Sequence, residues 1–303
     1  MSILLDGSTR VLIQGITGGE ARQQLPYMLA YGTRIVAGVS PGKGGSRVEG
    51  IPVHDTIEEA CAEHAIDMAV LFVPARHCRE AALEAIAARI PTVVIVAEGV
   101  PHHDAALVLQ EAREQGVRVI GPNAQGIISP GKAKVGGTGG DRPDRIFRPG
   151  PVGIISRSGG MGAEVASMLT RGGIGQSTYA AIGGDLLIGS DYCDLFSLYQ
   201  EDPETRVLFL FGELGTGREE AAAVAIEDGK FRKPVVAFVA GDFLEGLAQG
   251  ITFGHTGTLV KGSAGTAAGK KARLREAGVL VADRLDEIPG LVREALNQTL
   301  PLR

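Results

Sequence analysis

Short runs of β-branched and aliphatic residues alternate with helix-like segments along the chain, and this alternation constrains the fold most strongly. Each run is too short for a buried helix, which needs about 10–12 residues. In the first half the predicted strands are residues 10–14, 34–39, 68–73, 93–97 and 118–120. The predicted helices between them are residues 21–31, 57–64, 77–88 and 104–115. Repeated βα units of this kind predict a parallel, doubly wound sheet.

Residues 136–150 interrupt the pattern, because they are rich in glycine, proline and charge and offer little that could pack. The alternation then restarts. The second set of predicted strands is 152–156, 177–182, 207–212, 235–240 and 279–282, and the helices are 160–172, 191–200, 218–228 and 265–277. The sequence therefore predicts an α/β chain with one domain over 1–135, a linker over 136–150 and a second α/β domain over 151–303.

Composition excludes several classes of protein. The formal net charge is −5, so no basic field is available for nucleic acid or an anionic membrane. The three cysteines lack the spacing of a disulfide framework or zinc site, and neither a signal peptide nor a membrane-spanning stretch is visible. These features predict a cytoplasmic protein. The five histidines outside the second half show no metal-ligand spacing, so we expect no metal site.

Glycine-rich turns follow two predicted strands in the first half. Residues 14–20, Gln-Gly-Ile-Thr-Gly-Gly-Glu, lie between the first strand and first helix, where free N–H groups and the helix dipole favour a phosphate. The alternative is a tight connection without a ligand. Residues 40–45 follow the second strand and carry Lys43, which is either a phosphate partner or a solvated lysine. A ribose-binding acid, typical of NAD-binding folds, is missing at this strand end.

The second half carries a similar turn and two candidate catalytic groups. Residues 156–164, Ser-Arg-Ser-Gly-Gly-Met-Gly-Ala-Glu, again join a strand to a helix and suit either an anion or a simple N-cap. Glu213 lies at the end of an apolar strand, where a carboxylate needs a partner. His255, flanked by small residues, is the candidate partner, because a carboxylate on one ring nitrogen makes the other a better nucleophile. A structural histidine is the alternative.

Taken in order, these motifs resemble the α-subunits of succinyl-CoA synthetase and related nucleoside-diphosphate-forming acyl-CoA ligases. The similarity covers nearly the whole chain. It includes the turns at 14–18 and 38–45, Gly-Pro-Asn at 121–123, Ile-Ser-Arg-Ser-Gly at 155–159, Ile-Gly-Gly-Asp at 182–185, Gly-Glu at 212–213 and Gly-His-Thr-Gly at 254–257. The resemblance implies a Rossmann-like CoA-binding domain followed by a flavodoxin-like ligase domain.

The resemblance also assigns roles to individual residues. His255 would be the phosphorylated histidine, and Glu213 the acid that orients it. The helix N-terminus at Ser158, Gly159 and Gly160 would hold the phosphoryl group, and Asn123 and Ala163 would lie at the substrate site. The implied CoA contacts are Thr17, Gly18, Gly19, Glu20, Lys43, Val96, Ala97 and Glu98.

In this family's chemistry, the histidine carries a phosphoryl group from ATP or GTP to a carboxylate, and the CoA thiol attacks the resulting acyl phosphate. The chain shows no P-loop and has no room for a separate nucleotide-binding fold. The resemblance therefore implies a partner, a β-subunit with an ATP-grasp domain that binds the nucleotide and Mg²⁺, in an αβ or α2β2 assembly.

The sequence leaves the substrate open. Succinate is the first expectation, but Gly-Gly-Met at 159–161 and Phe-Gly-His at 253–255 are more similar to ATP-citrate lyase and citryl-CoA synthetase, so malate and citrate stay in view. Two other classes compete with a ligase: a CoA-binding protein whose histidine no longer reacts, and an NAD-dependent dehydrogenase. The incomplete glycine fingerprint and Lys43 disfavour the dehydrogenase.

Overall fold

The computed structural model describes residues 3–242 and 265–299 and forms two seven-stranded sheets flanked by helices. The first sheet contains β1 (Val11–Gln14), β2 (Ile35–Val39), β3 (Arg47–Val48), β4 (Ile51–His54), β5 (Met68–Leu71), β6 (Thr92–Ile95) and β7 (Arg118–Ile120). Its helices are α1 (Gly19–Ala30), α2 (Ile57–Glu63), α3 (Cys78–Ala87) and α4 (His102–Gln115).

The first sheet has the strand order β3-β4-β2-β1-β5-β6-β7. All pairs are parallel except β3 with β4, which form a short hairpin. Every residue of β1 and β5 is buried, as expected where helices cover both faces of a parallel sheet. Gly116 ends α4 at φ +69°, in the left-handed region that glycine adopts without strain.

The second sheet follows in the chain. Its strands are β8 (Gly126–Ser129), β9 (Ala133–Gly136), β10 (Pro149–Ser156), β11 (Gln176–Ala181), β12 (Val207–Glu213), β13 (Val235–Ala240) and β14 (Leu280–Ala282). Its helices are α5 (Pro143–Ile146), α6 (Gly159–Arg171), α7 (Tyr192–Glu201), α8 (Arg218–Glu227), α9 (Ala267–Glu276) and α10 (Ile288–Gln298).

Strands β14-β13-β12-β10-β11 of this sheet are parallel, and β8 and β9 extend it with antiparallel pairs. The predicted α/β class and two parallel-rich sheets are thus confirmed. The sequence assigned residues 126–135 to the first domain, whereas the structure pairs them with the second sheet through β8 and β11. The sheet changes in the turn after β7, before the glycine-rich residues 136–150 that were predicted to be the linker.

Hydrophobic packing continues between the two halves. One buried cluster includes Val11 and Ile13 of the first sheet together with Ile155 and Leu208 of the second. A second cluster packs β1, β2, β5 and β6 against α2, α3 and α4, and a third packs β10 to β13 against α6 and α10. The carboxyl ends of both sets of parallel strands are thereby held in fixed positions, and their loops carry the candidate site.

Candidate functional site

The first crevice lies between β1 and β5, where the order of the strands reverses. In doubly wound sheets, ligands bind at this switch point outside the carboxyl ends of the strands. Gly15 follows β1 at φ +74°, and a Cβ built there would lie 2.5 Å from the carbonyl oxygen of Phe72, just after β5. Only glycine allows this close approach of the two loops.

The residues predicted to bind along the first turn lie at the N-terminus of α1. Gly18 is the N-cap and provides no side-chain cap, and Gly19 and Glu20 are exposed. A Cβ built at Gly19 would have no atom within 4 Å. The first-turn N–H groups of α1 are therefore open to an approaching anion. The Thr17 hydroxyl lies 3.0 Å from Ser40 Oγ and joins this turn to the loop after β2.

Lys43 is exposed on the loop after β2, which fits both a phosphate partner and a solvated lysine. Asp55 Oδ1 accepts hydrogen bonds from the backbone N–H of Lys43 at 2.9 Å and of Gly44 at 2.8 Å. The Gly44 bond is the main cause of the lowered pKa of Asp55. The ionised carboxylate thus fixes the backbone of the loop, while the ammonium of Lys43 extends from it.

Val96, Ala97 and Glu98 follow β6 at the same edge. Val96 and Ala97 are half-buried, and Glu98 is exposed. The Ala97 carbonyl accepts a hydrogen bond from the Asn123 N–H at 2.9 Å, so this loop is tied to the turn after β7. The structure places all eight predicted CoA contacts on the carboxyl edge of the first sheet.

A cavity of about 540 Å³ opens at this edge, a size typical of small-molecule sites. Its walls are Gln14, Gly15, Val39, Pro41, Val73, Pro74, His77, Glu80, Ala81 and Glu84. The sequence indicated the turns at 14–20 and 40–45, but it missed the α3 side of the cavity. The Gln14 amide nitrogen donates to the Ala81 carbonyl at 3.0 Å and to Glu84 Oε2 at 3.2 Å, which links β1 to that wall.

The second crevice lies between β10 and β12, the switch point of the second sheet. Ser158 caps α6 with a 3.4 Å hydrogen bond from the Met161 N–H, which is the N-cap geometry that the sequence left open. Gly160 is exposed, and a Cβ there would have no atom within 4 Å. Capping uses one donor of the first turn, and the exposed backbone at Gly160 leaves space for an anion. Ala163 is half-buried on the same helix.

Two arginines that were not among the predicted site residues lie near this crevice. Arg157 is fully buried, with one Nη 3.4 Å from Thr216 Oγ1 and the other 3.4 Å from the Gly184 carbonyl. Within the described part of the chain, its Nε has no hydrogen-bond partner. Burial, and next the charge of Arg157, lower the pKa of Arg218 at the start of α8. Two guanidinium groups therefore lie close to each other, one of them directly before the N-cap of α6.

Glu213 ends β12 on the other side of this crevice and is 8% exposed. Its backbone N–H donates to Glu219 Oε1 at 3.2 Å. His255, the predicted phosphorylated residue, lies outside the described residues. Because β12 pairs in parallel with β10, Glu213 lies at the same edge of the sheet as the N-terminal turn of α6. Its pairing with His255 stays a prediction.

The turn after β7 brings the two crevices together. Asn123 Nδ2 donates to Asp185 Oδ1 at 3.0 Å, so a predicted substrate residue of the first half contacts the loop after β11. Gly183 packs against the Pro122 carbonyl, and Gly159 against Gln125, with no room for a side chain at either glycine. The carboxyl edges of both sheets therefore meet at residues 121–125.

One group among the described residues could hold a metal ion by geometry. Single ligand atoms of His54, Glu63 and His64 lie within 4.8 Å of one another, far from the second crevice in the chain. This group was not predicted from the sequence, because the folding of α2 against β4, and not a short spacing, brings the imidazoles together. The Glu63 carboxylate is exposed.

No helix within residues 3–242 or 265–299 has the length and apolar character to cross a bilayer.

Comparisons with known proteins agree with this arrangement. Residues 6–99 match the CoA binding domain family, and residues 149–293 match the family described as succinyl-CoA ligase like flavodoxin domain. A succinate–CoA ligase [ADP-forming] subunit alpha 1 of Archaeoglobus fulgidus is 45% identical over 98% of this chain and 99% of its own length. A subunit of an ADP-forming sulfoacetate–CoA ligase of Bilophila wadsworthia is 38% identical over 98% of this chain and 100% of its own length.

The fold is also similar to that of solved structures. ATP citrate lyase of Methanosaeta concilii, in complex with (3S)-citryl-CoA, matches with a TM-score of 0.90 and 30% identity. The match covers 98% of this chain and 51% of the lyase chain, so the present chain spans about half the length of that neighbour. The predicted order of a CoA-binding domain and a flavodoxin-like domain is confirmed.

Proposed function

Because this chain belongs to the family of succinate–CoA ligase α-subunits, we propose that it is the α-subunit of an ADP-forming carboxylate–CoA ligase. It would join a carboxylic acid to CoA through a phosphohistidine and an acyl phosphate. A partner β-subunit with an ATP-grasp domain would supply the nucleotide and Mg²⁺.

The observation that carries the proposal is the meeting of two crevices at residues 121–125. One crevice presents the open N-terminus of α1 and a neighbouring cavity, and the other presents the N-terminus of α6 beside Arg157 and Glu213. A CoA ligase needs one site for a phosphate-containing thiol and a second for a transferring phosphoryl group. It also needs them close enough for the thiol to reach the acyl phosphate.

At the first crevice, CoA phosphates would approach the turn at Thr17 and Gly18 and accept hydrogen bonds from the N–H groups of Gly19 and Glu20. The N–H groups of Thr17 and Gly18 already donate to Ser40 Oγ and to the Gly15 carbonyl. Glu20 would contribute only its backbone, since its carboxylate repels an anion. The Lys43 ammonium would pair with a phosphate, while Val96, Ala97 and Glu98 would line the path toward Asn123. The apolar walls of the cavity, such as Val39, Pro41 and Val73, suit a planar base.

At the second crevice, Glu213 would hold one ring nitrogen of His255 while the other attacks the γ-phosphorus of the nucleotide, and the nucleoside diphosphate would leave. The N–H groups of Gly159 and Gly160, together with Arg157, would stabilise the charge on the phosphoryl oxygens. A substrate carboxylate oxygen then attacks phosphorus and releases the imidazole. The CoA sulfur finally attacks the acyl carbon, and inorganic phosphate leaves.

The substrate is proposed to be a small acid with a second anionic group, with succinate first. The named relatives act on succinate or sulfoacetate, and the named lyase complex holds citryl-CoA. Asn123 lies where the two crevices meet, with its amide nitrogen hydrogen-bonded to Asp185, and would contact this acid together with Ala163 of α6. The free cysteines Cys61, Cys78 and Cys193 suit the reducing cytoplasm.

The test uses the chain co-expressed with the ATP-grasp subunit from the same genome. CoA-dependent phosphate release is measured with succinate, sulfoacetate, malate and citrate under ATP and under GTP. We expect turnover with succinate and tight co-purification of the two subunits as αβ or α2β2. Turnover with citrate alone would move the assignment to a citrate–CoA ligase. CoA binding without turnover for any acid would favour the non-catalytic CoA-binding protein and contradict the proposal.

A further inference from the structure

A buried charged cluster lies behind the second crevice, between the first turns of α8 and α9. Lys270 of α9 is fully buried, and its ammonium makes three hydrogen bonds, the number that it can donate. The acceptors are Glu219 Oε2 at 2.5 Å, Glu220 Oε2 at 2.7 Å and the Thr216 carbonyl at 2.9 Å. This lysine therefore faces the turn between β12 and α8 and not solvent.

Glu219 connects this lysine to the end of β12. It is 2% exposed, and while Oε2 contacts Lys270, Oε1 lies 3.2 Å from the Glu213 N–H and 3.2 Å from the Tyr192 hydroxyl. A Cβ built at Gly212 would lie 2.8 Å from Glu219 Cγ, so the carboxylate lies directly on the last strand residues. The backbone of Glu213 is thus hydrogen-bonded to a carboxylate that Lys270 holds.

The turn that follows Glu213 has a backbone that needs outside support. Gly215 has φ +77° and Thr216 has φ +48°, an unfavourable region for a β-branched residue. Lys270 binds the Thr216 carbonyl, and the Gly215 N–H donates to the Gly265 carbonyl at 2.8 Å. Residues at and just before α9 therefore hold this turn in place.

Burying an ion pair costs much of the energy that the attraction returns, and an apolar pair of equal volume often stabilises a fold as well. A contribution to the stability of the fold is therefore a weak explanation for a buried ion pair at this position. The cluster instead joins the strand end that carries Glu213 to α9, the helix that follows residues 243–264 and hence His255 in the chain.

From these contacts we propose that Lys270 and Glu219 are positioning residues, which fix the end of β12 against α9 so that Glu213 is held for phosphoryl transfer. The inference depends on the proposed function, because Glu213 acts there through His255. Neither Lys270 nor Glu219 would touch substrate. Their effect would be on the rate at which the histidine is phosphorylated, with CoA binding at the other crevice unchanged.

The test compares Lys270→Met, Glu219→Gln and the double variant in the complete complex with the β-subunit. Arg273→Met is the matched control, because Arg273 also joins α9 to α8, through Glu227, without contacting the turn. The measurements are the rate of histidine labelling from γ-labelled ATP, kcat, KM for CoA, and the thermal midpoint.

We expect Lys270→Met to slow labelling and kcat 10- to 100-fold with KM for CoA within twofold, and Glu219→Gln to slow them at least threefold. Arg273→Met should label at the rate of the unmodified complex. The double variant removes both charges, so its midpoint should rise above that of Lys270→Met while its labelling stays at least tenfold slow. A double variant that regains thermal stability but not the labelling rate would show that the two residues position Glu213.

Recovery of both the midpoint and the rate in the double variant would show a purely structural pair and overturn the inference. An unchanged rate in Lys270→Met would do the same while leaving the proposed function intact. If the unmodified complex acquires no histidine label, the proposed function fails and this inference fails with it. Should Lys270→Met not fold, Glu219→Gln and the double variant decide the question.

Discussion

Gly19→Ala should weaken CoA binding without weakening the fold. A Cβ at Gly19 would meet no atom within 4 Å, and Gly19 is the first residue of α1. Because alanine is the better helix former, by up to about 1 kcal/mol in a helix interior, the free energy of unfolding should stay equal or rise. The added methyl group lies instead where a pyrophosphate would approach the N-terminal N–H groups.

The expected loss follows from that obstruction. Displacing the phosphate from its N–H donors should raise the Kd for CoA 10- to 100-fold, or about 1.4–2.7 kcal/mol. Isothermal titration with CoA and a thermal melt on the same sample measure both quantities. Gly160→Ala is the matched control, since it adds an equally unobstructed methyl group at the first turn of α6.

The two variants should show opposite profiles. Gly19→Ala should lose CoA affinity and keep histidine labelling, and Gly160→Ala should keep CoA affinity and lose labelling. A Gly19→Ala protein that binds CoA with unchanged affinity would refute the placement of the phosphates at α1. Equal loss of CoA affinity in both variants would refute the separation of the two crevices.

Three further predictions concern buried groups elsewhere. Burial lowers the pKa of Lys134 to about 8, so between pH 8 and 10 the unfolded chain binds more protons than the folded chain and the free energy of unfolding should rise. Lys134→Met should abolish this rise. In urea unfolding at pH 7 it should also increase the free energy of unfolding by about 2–3 kcal/mol, less the contribution of the lost bond to the Gly140 carbonyl. Asn123→Asp places a second carboxylate beside Asp185, which should cost about 1–3 kcal/mol at pH 8 and less at pH 5, where a shared proton relieves the repulsion, as thermal melts at both pH values would show. Burial raises the pKa of the Cys78 thiol to about 11, so a disulfide reagent at pH 8 should modify exposed Cys61 well before Cys78, as peptide mass analysis over time would reveal.

Much of the fold could be predicted because its strands are buried on both faces and its helices have distinct ends. The predicted strand at 118–120 agrees with β7, and the helix predicted to end before Gly116 is α4. The antiparallel pair β8 and β9 was missed, because its pairing with β11 depends on contacts distant in sequence. Helix α10 was also missed, although buried Ile288, Val292 and Ala295 recur at helical spacing.

The candidate site could be predicted only in part, for a related reason. Turns after strands are visible in a sequence, so Thr17, Lys43, Ser158 and Glu213 could be chosen in advance. Charged residues inside helices look like solvated residues until the packing is known. Nothing in the Gly-Lys-Lys segment indicates that Lys270 is buried, and the residues just before it, Ala268 and Gly269, are exposed. The cluster around it depends on the approach of α8 and α9.

The most direct test of the account is the site of phosphorylation in the complete complex. The chain and its ATP-grasp partner are incubated with γ-labelled ATP and Mg²⁺, and the acid-labile label is located by peptide mapping. A phosphohistidine mechanism predicts one labelled residue, His255, no label in His255→Asn, and loss of the label when succinate and CoA are added together. Label on another residue, or a wild-type complex that turns over without labelling, would contradict it.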